Sequence, residues 1–316
     1  MKYLVHAVAL AALLVTAPVA ASADEHKAEK AVLVTGASTG IGRNITERLA
    51  AEGYFVFAGA RKEGDLAELD AIDNVRAVRL DVTSQEDIDA AVETVRQEGK
   101  GLYGLINNAG VAVVGPLSQT PDSNLHFVFD VNVGGVVRVT RAFAPMIIES
   151  KGRIMTTGSI SGILSSPTLG VYSMSKHAVE AYTDSLAGEM AEHGVSVSVI
   201  EPGNYKSKIR RTTMQRTREQ LEGAGVELTE DQRASFEGTA ERELALKEPD
   251  EVSDAFMHAL FSDEPKRRYM VVPNEDEAAR TIRKAIEELV QLNEWQAYSY
   301  DREELVNMLD EALANL

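Results

Sequence analysis

Cysteine is absent from the 316 residues. Disulfides, thiol nucleophiles and cysteine-based metal sites are therefore excluded, although this does not fix the compartment. The six histidines are scattered without ligand spacing, so no metal site is expected. Basic side chains are outnumbered, 32 Lys and Arg against 49 Asp and Glu, which gives a net charge of −17. An acidic surface repels phosphate backbones, and nucleic acid is not expected as a partner. Internal repeats and low-complexity linkers are missing too, so the body of the chain reads as one domain. What is present is enough apolar material, 44% of residues, for a large core, with an ordinary charged fraction of 26%.

The N-terminus stands apart from this body. Met1-Lys2 opens an apolar run over residues 3–19, and Ala21-Ser22-Ala23 follows as a small-x-small site before Asp24-Glu25-His26. Residues 1–23 are read as a signal peptide or an anchor. A span needs about 20 apolar residues, and Pro18 with the Ala/Ser tail leaves this run marginal, which favours cleavage. A cleaved chain keeps no stable membrane span and is periplasmic or secreted; the alternatives are a membrane-tethered or a cytoplasmic protein.

Downstream, apolar strand-like runs alternate with helical spacing. Strands are expected at 31–35, 54–58, 75–80, 104–107, 153–157, 195–200 and 269–272. Helices are expected at 41–52, 84–98, 122–148 and 171–193. The alternation predicts an α/β fold: a Rossmann-type, doubly wound, parallel seven-stranded sheet with helices on both faces, over residues 24–275. The polar stretch 205–247 is too long for a bare loop and is expected to hold short helices over the site, as a substrate flap at about 204–247. Residues 276–316 read as a short helical C-terminal extension packed on the same domain. In it Asp301 and Glu304 fit a capping box, and Leu305, Met308, Leu309 and Leu313 form an apolar stripe.

The turn Thr35-Gly36-Ala37-Ser38-Thr39-Gly40-Ile41-Gly42 lies between the first strand and the first helix. Glycine lets backbone approach a pyrophosphate, and a helix N-terminus supplies free N–H groups. Gly36, Ser38, Thr39, Gly40, Ile41 and Gly42 are its candidate contacts. After the second strand an acid would hold the 2′-hydroxyl of NAD, whereas an arginine suits the 2′-phosphate of NADP. Here Ala60 is followed by Arg61 and Lys62, which favours NADP, with NAD possible and simple solvation of both cations the plainer reading. Asp81 either accepts from the adenine amino group or marks the N-terminus of the next helix.

Tyr172 and Lys176 stand at i and i+4, on one helical face. A neighbouring cation lowers a phenol's pKa and suits it to proton exchange near neutral pH. Alone, Tyr-x-x-x-Lys is usually a surface pair. Its company is specific: Asn107-Asn108-Ala109-Gly110 ends the fourth strand, Ser159 follows the fifth, and Asn132 interrupts an apolar helix, where it either works in the site or braces a strand.

Taken together, the Thr35–Gly42 turn, Asp81, residues 107–110, Asn132, Ser159, Tyr172, Lys176 and Pro202-Gly203 resemble the short-chain dehydrogenase/reductase family over residues 31–273. The resemblance implies that Tyr172 is the general acid or base and that Lys176 holds the nicotinamide ribose. It also implies that Ser159 hydrogen-bonds the substrate oxygen and that Asn132 supports a relay water. It extends the cofactor contacts to Val82, Asn108, Ala109, Gly110, Tyr172, Lys176, Pro202, Gly203 and Ser207, the last in place of a usual threonine. It implies a small-molecule alcohol or carbonyl substrate and a homodimer or homotetramer. The stretches 54–60 and 201–208 resemble the branch holding retinol and 17β-hydroxysteroid dehydrogenases. Val111, Val113, Val114, Ile163, Leu164 and Leu169 would suit a hydrophobic substrate, or be ordinary core. Lys206, Lys208, Arg210 and Arg211 either attract an anion or form a solvated helix face. A non-catalytic dinucleotide sensor or scaffold is the rival function, opposed by the complete Asn132, Ser159, Tyr172 and Lys176 set.

The leader carries its own test. N-terminal sequencing of protein from fractionated cells is expected to give a chain beginning at Asp24 in the periplasmic fraction. A full-length chain in the membrane fraction would reject cleavage.

Overall fold

The computed structural model describes residues 30–315; the expected leader at 1–23 and its cleavage site lie outside the described residues. Seven strands form one sheet, parallel throughout: β1 (Val32–Val34), β2 (Val56–Ala60), β3 (Val75–Arg79), β4 (Gly104–Asn107), β5 (Arg153–Thr157), β6 (Ser196–Pro202) and β7 (Arg268–Val271). Their order is β3-β2-β1-β4-β5-β6-β7. The order reverses direction beside β1, and the crevice at that switch point, outside the strand C-termini, is where open α/β sheets bind ligands.

The sheet is buried on both faces because its central strands carry apolar side chains toward both sides. Leu33, Phe57, Leu105 and Ile154 point to one face, where they pack with α3 (Gln85–Glu98), α5 (Val136–Glu149) and α6 (Gly170–Ala191). Val32, Val34, Val56, Ala58 and Met155 point to the other, against α1 (Gly40–Ala51) and α10 (Asp250–Phe261). α3 shows how local sequence sets an element. Ser84 caps it by accepting from Asp87 N at 3.2 Å, Glu86 and Asp87 favour its first turn, and Gly99 ends it with φ of 71°. Ile88, Ala91 and Val95 give it one buried face.

β2 runs two residues later than expected. Tyr54 is spent on a stacked contact with Phe261, ring centroids 4.0 Å apart, before the strand begins. Gly59 and Ala60 are therefore in the strand, paired with Val78 and Arg79. Two helices had no counterpart in the expected order: α2 (Glu63–Asp70) and α10. α10 covers the sheet beside α1, to which it is tied by Asn44 Nδ2 donating to Asp250 Oδ1 at 2.8 Å. The stretch 122–148 is also broken. α4 (Asp122–Phe129) passes through a wide π turn (Asp130–Gly135) into α5. Asp122–Glu149 is, among the described residues, the helical stretch long and apolar enough to cross a membrane, but Val139, Phe143 and Ile147 are fully buried in the core.

The polar stretch 205–247 folds into α7 (Ile209–Gly223), α8 (Glu230–Glu237) and α9 (Thr239–Leu244). α7 reaches across the crevice: Thr213 Oγ1 donates to Ala112 O at 3.2 Å, and Gln220 Nε2 donates to Asn124 Oδ1 of α4 at 2.8 Å. The extension is α11 (Glu275–Glu294) and α12 (Arg302–Ala314). Its packing differs from expectation. Only Glu277 and Thr281 of α11 are buried, and α12 buries none of its residues. The stripe positions Met308, Leu309 and Leu313 are exposed, as are Ile286, Leu289 and Val290 of α11. The two helices thus extend from the body, docked through the first two turns of α11.

Candidate active site

The site is assembled where β1, β4, β5 and β6 end. The turn after β1 is shaped by contacts too close for side chains. A Cβ on Gly42 would lie 2.3 Å from Gly36 O and 2.4 Å from Asn108 Nδ2. Gly40 has φ of 60°, and a Cβ there would lie 2.9 Å from Ser207 Cβ, so the start of the flap rests on the turn. Thr39 occupies the N-cap of α1 without a side-chain cap, and the first turn holds no acid. The helix therefore presents free N–H groups and a positive dipole end, which fits the pyrophosphate of a dinucleotide.

Asn108 and Thr35 bind this turn to the next strand. Asn108 Nδ2 donates to Thr35 O at 3.0 Å and Gly36 O at 3.2 Å. Thr35 Oγ1 accepts from Asn108 N at 2.9 Å and Ala109 N at 3.0 Å. Asn108 Oδ1 in turn accepts from Thr157 Oγ1 of β5 at 3.2 Å. Gly110 lies beside Asn132 and Lys176. Thr35 and Thr157 were not among the candidate contacts; a hydroxyl at the end of a buried strand was the available signal.

At the other side of the crevice, Arg61 extends from the end of β2 and donates to Asp81 Oδ2 at 3.4 Å. Burial pushes the Asp81 carboxyl up, but donation from Thr83 and the Arg61 charge bring it below its ordinary value. The next helix is capped by Ser84, so capping is not the role of Asp81. Val82 packs into the π turn and its carbonyl accepts from Arg138 Nε at 3.0 Å. Pro202 ends β6. Gly203 N donates to Val271 O at 2.7 Å, and Asn204 N donates to Glu277 Oε2 at 2.9 Å, which fixes the flap's origin to α11. Glu277 was not among the expected site residues; Asn274, which caps α11 three residues earlier, was its signal.

Ser159, Tyr172 and Lys176 come together. Ser159 sits in extended backbone after β5 and its Oγ accepts from Ser161 N at 3.0 Å. Tyr172 is in the first turn of α6, within hydrogen-bonding reach of the Ser159 hydroxyl. Lys176 Nζ lies 5.6 Å from the centroid of the Tyr172 ring and donates to Thr157 O at 2.7 Å. The expectation that this ammonium lowers the phenol's pKa is overturned. Burial is the largest influence and holds the Tyr172 phenol above its ordinary value, with the Ser159 hydrogen bond opposing it. The same burial pulls the Lys176 ammonium down to about 8, against the charge of Glu180.

Asn132, 1% exposed, lies in the π turn. Its Oδ1 accepts from Val111 N at 2.8 Å, and its Nδ2 donates to Val111 O at 2.9 Å and to Ser175 Oγ at 3.0 Å. Ser175 Oγ donates to Tyr172 O at 2.7 Å. Asn132 is therefore a brace between the loop after β4 and the helix that carries Tyr172. Of the apolar wall residues, Val113 joins Val128 and Val171 in a small buried cluster, while Val111, Val114, Ile163, Leu164 and Leu169 are half-buried. Of the flap cations, Lys206 pairs with Glu248, Arg211 with Glu243, and Arg210 donates to Asn204 Oδ1, leaving Lys208 exposed.

Comparison with known proteins agrees with this geometry. A sequence profile described as short chain dehydrogenase matches residues 30–218. The chain is 40% identical over 186 residues to mitochondrial D-beta-hydroxybutyrate dehydrogenase of Rattus norvegicus, with 56% of this chain and 54% of that protein covered. It thus spans about half the length of that relative. Retinol dehydrogenase 7 of Rattus norvegicus is 33% identical over 260 residues, covering 77% of this chain and 81% of the relative. Among solved structures, a short chain dehydrogenase/reductase from Burkholderia phymatum in complex with NAD is similar with a TM-score of 0.71. It is 27% identical, and 86% of this chain and 98% of that one are covered.

The crowding at Gly42 yields a test of the turn. Gly42→Ala forces a methyl against Gly36 O and Asn108 Nδ2, and overpacking of this kind costs about 1–3 kcal/mol. Calorimetric titration is expected to show nicotinamide dinucleotide binding weakened roughly tenfold or more. Unchanged affinity would mean that the turn does not hold the dinucleotide.

Proposed function

The chain belongs to the short-chain dehydrogenase/reductase family, near its retinol and hydroxysteroid dehydrogenase branch; from that premise we propose that it is an NAD(P)-dependent oxidoreductase. The reaction interconverts a hydrophobic secondary alcohol and ketone, or a primary alcohol and aldehyde. The observation that carries this reading is the convergence of Ser159, Tyr172 and Lys176 beside a glycine turn with an uncapped helix N-terminus.

When bound, the nicotinamide supplies or accepts a hydride. The other steps belong to side chains. In reduction, the Tyr172 phenol gives its proton to the carbonyl oxygen, and the Ser159 hydroxyl donates a hydrogen bond to the same oxygen. In oxidation, Tyr172 takes the proton from the alcohol. The raised phenol keeps its proton across the neutral range, so reduction is favoured there and oxidation gains as pH rises. Lys176, held by Thr157 O, places its charge beside the phenol and would hold the nicotinamide ribose. Asn132 keeps the Tyr172 turn in place through Ser175.

The half-buried apolar wall and the ion-paired flap cations support a neutral, hydrophobic substrate over a small carboxylate. NADP is the proposed cofactor. In support, Arg61 directly follows β2, where an arginine suits a 2′-phosphate, and Arg216 of α7 brings a second positive charge within electrostatic reach of it. Arg216 also lies 4.2 Å from the centroid of the Phe127 ring. Burial, then repulsion by Arg61, hold the Arg216 guanidinium below its ordinary value.

Two variants test these assignments. Tyr172→Phe keeps the ring and removes the transferable proton; kcat is expected to fall at least about 100-fold with dinucleotide affinity nearly intact. Near-normal turnover would refute the mechanism. Arg61→Ala is expected to weaken NADP far more than NAD, because a charge-assisted contact to the extra phosphate is lost. Equal changes for both dinucleotides would leave Arg61 as a solvated side chain.

A further inference from the structure

Behind the site lies a buried acidic pair that the proposed chemistry does not use. Glu180 is one turn beyond Lys176 on α6, and Glu201 is on β6, 2% exposed. The two carboxyls are within hydrogen-bonding reach of each other. Arg268 of β7 closes the group, with Nε 3.3 Å from Glu180 Oε2 and 3.6 Å from Glu201 Oε1, and Nη2 2.7 Å from Asp184 Oδ2. Asp184 is shared with Arg267 at 3.8 Å. The charged groups that act on the pair are Lys176 and Asp184 from α6 and Arg268 from β7, with Arg267, just before β7, acting on Asp184.

Two features need explanation. Glu180 Oε1 and Glu201 Oε1 are both buried and neither accepts a hydrogen bond. Two ionised carboxylates in this position would repel each other with one nearby guanidinium to offset them. A proton on one carboxyl turns the contact into a donor and an acceptor and so supplies a hydrogen bond to the pair. Glu180 Oε1 is also pressed against the backbone around Ser159. A Cβ on Gly158 would be 3.0 Å from it, and one on Gly162 would be 2.9 Å away. These two glycines flank the turn that presents the Ser159 hydroxyl.

We propose that Glu180 and Glu201 share one proton, and that this pair, closed by Arg268, seats the Ser159 turn and gives Lys176 its counter-charge. Glu201 carries the proton and Glu180 the negative charge, which it directs toward Lys176. Both are positioning residues. Burial raises both carboxyls; the charge of Glu180 lifts Glu201 further, whereas the hydrogen bond to Glu201 and the Arg268 charge pull Glu180 back. The sign of the linkage follows. An acid whose folded pKa is raised contributes stability that is fully present below its unfolded value and is lost as pH rises through the folded value.

The catalytic part of the test rests on the oxidoreductase reading; the first two measurements do not. Infrared difference spectra at neutral pH should show a protonated carboxylic acid band in the unmodified protein that is missing in Glu201→Gln. The melting temperature of the unmodified protein should fall more steeply than that of Glu201→Gln between about pH 5 and about pH 9. In turnover, Glu201→Gln retains the donor and should keep kcat within about twofold, whereas Glu201→Ala should lose about tenfold or more, the size of one lost buried hydrogen bond. Glu180→Gln should move the alkaline fall of kcat to lower pH by about one unit, because Lys176 loses the charge that keeps it protonated. The proposal is overturned if the acid band persists in Glu201→Gln, if the two melting profiles are parallel, or if glutamine at 201 loses as much activity as alanine. A chain without oxidoreductase activity would still show the band and the melting difference, so the two readings fail separately.

Discussion

The site depends on one side chain that reaches three strand ends. Asn108, at the end of β4, donates to the carbonyls of Thr35 and Gly36 after β1 and accepts from Thr157 of β5. Thr35 returns two acceptor contacts to the Asn108 and Ala109 amides. A parallel sheet leaves its last backbone groups unpaired at the strand ends, and a buried unpaired amide or carbonyl costs about 1–3 kcal/mol. Asn108 removes that cost at the point where the sheet opens. It also fixes the glycine turn of β1 against Thr157, whose carbonyl holds Lys176. The dinucleotide turn and the proton-transfer group are thereby parts of one hydrogen-bonded unit.

This connectivity explains why burial has a strong influence on the titrating groups. The Lys176 ammonium is drawn down to about 8 although it donates to a carbonyl, and the Tyr172 phenol is held up although Ser159 hydrogen-bonds it. A hydroxyl or carbonyl partner offsets part of the loss of water; a full counter-charge is needed to reverse it. Charge is supplied from behind, by Glu180, rather than from the crevice. The wall residues Val111, Val113, Val114, Ile163, Leu164 and Leu169 are apolar, and Lys206 and Arg211 of the flap are turned to Glu248 and Glu243. Recognition and protonation are therefore handled from opposite sides of the Ser159 turn.

Much of this was legible in the sequence, unevenly. Seven strands were readable because parallel strands buried on both faces are rich in Val, Ile, Leu and Ala, as in Ala31-Val32-Leu33-Val34. Tyr54 and Phe55 look like strand, yet aromatic stacking on Phe261 takes Tyr54 out of the ladder. α10 carries a clear helical row in Val252, Phe256, Ala259 and Leu260 and was open to detection. α2 was not, because Leu69 is its single buried residue. Ser159, Tyr172 and Lys176 were found by type and spacing. Their electrostatics were not, since the sign of the Tyr172 shift is set by burial against the Ser159 hydrogen bond. Arg216 and Glu277 come to the site from distant parts of the chain, and no local pattern joins them to Arg61 or Asn204.

The π turn at Asp130–Gly135 has a consequence for how this chain can change length. A π turn is one residue more than the α-helical path, and α-helical residues step by about 100° around the axis. Here the extra residue lets two faces be used in one rod: Asn132 is turned to Ser175 and Val111, while Val139, Phe143 and Ile147 still meet the sheet. Loss of any one residue between Phe129 and Val136 would leave an ordinary, unbroken helix. The wide turn absorbs its extra residue locally, so the flanking turns would keep their faces, and the loss would fall on the brace that Asn132 makes from inside it. Within the segment Asn132 and Gly135 are also held to type, the one by its brace to Val111 and Ser175 and the other by the 2.6 Å that a Cβ would leave to Val82.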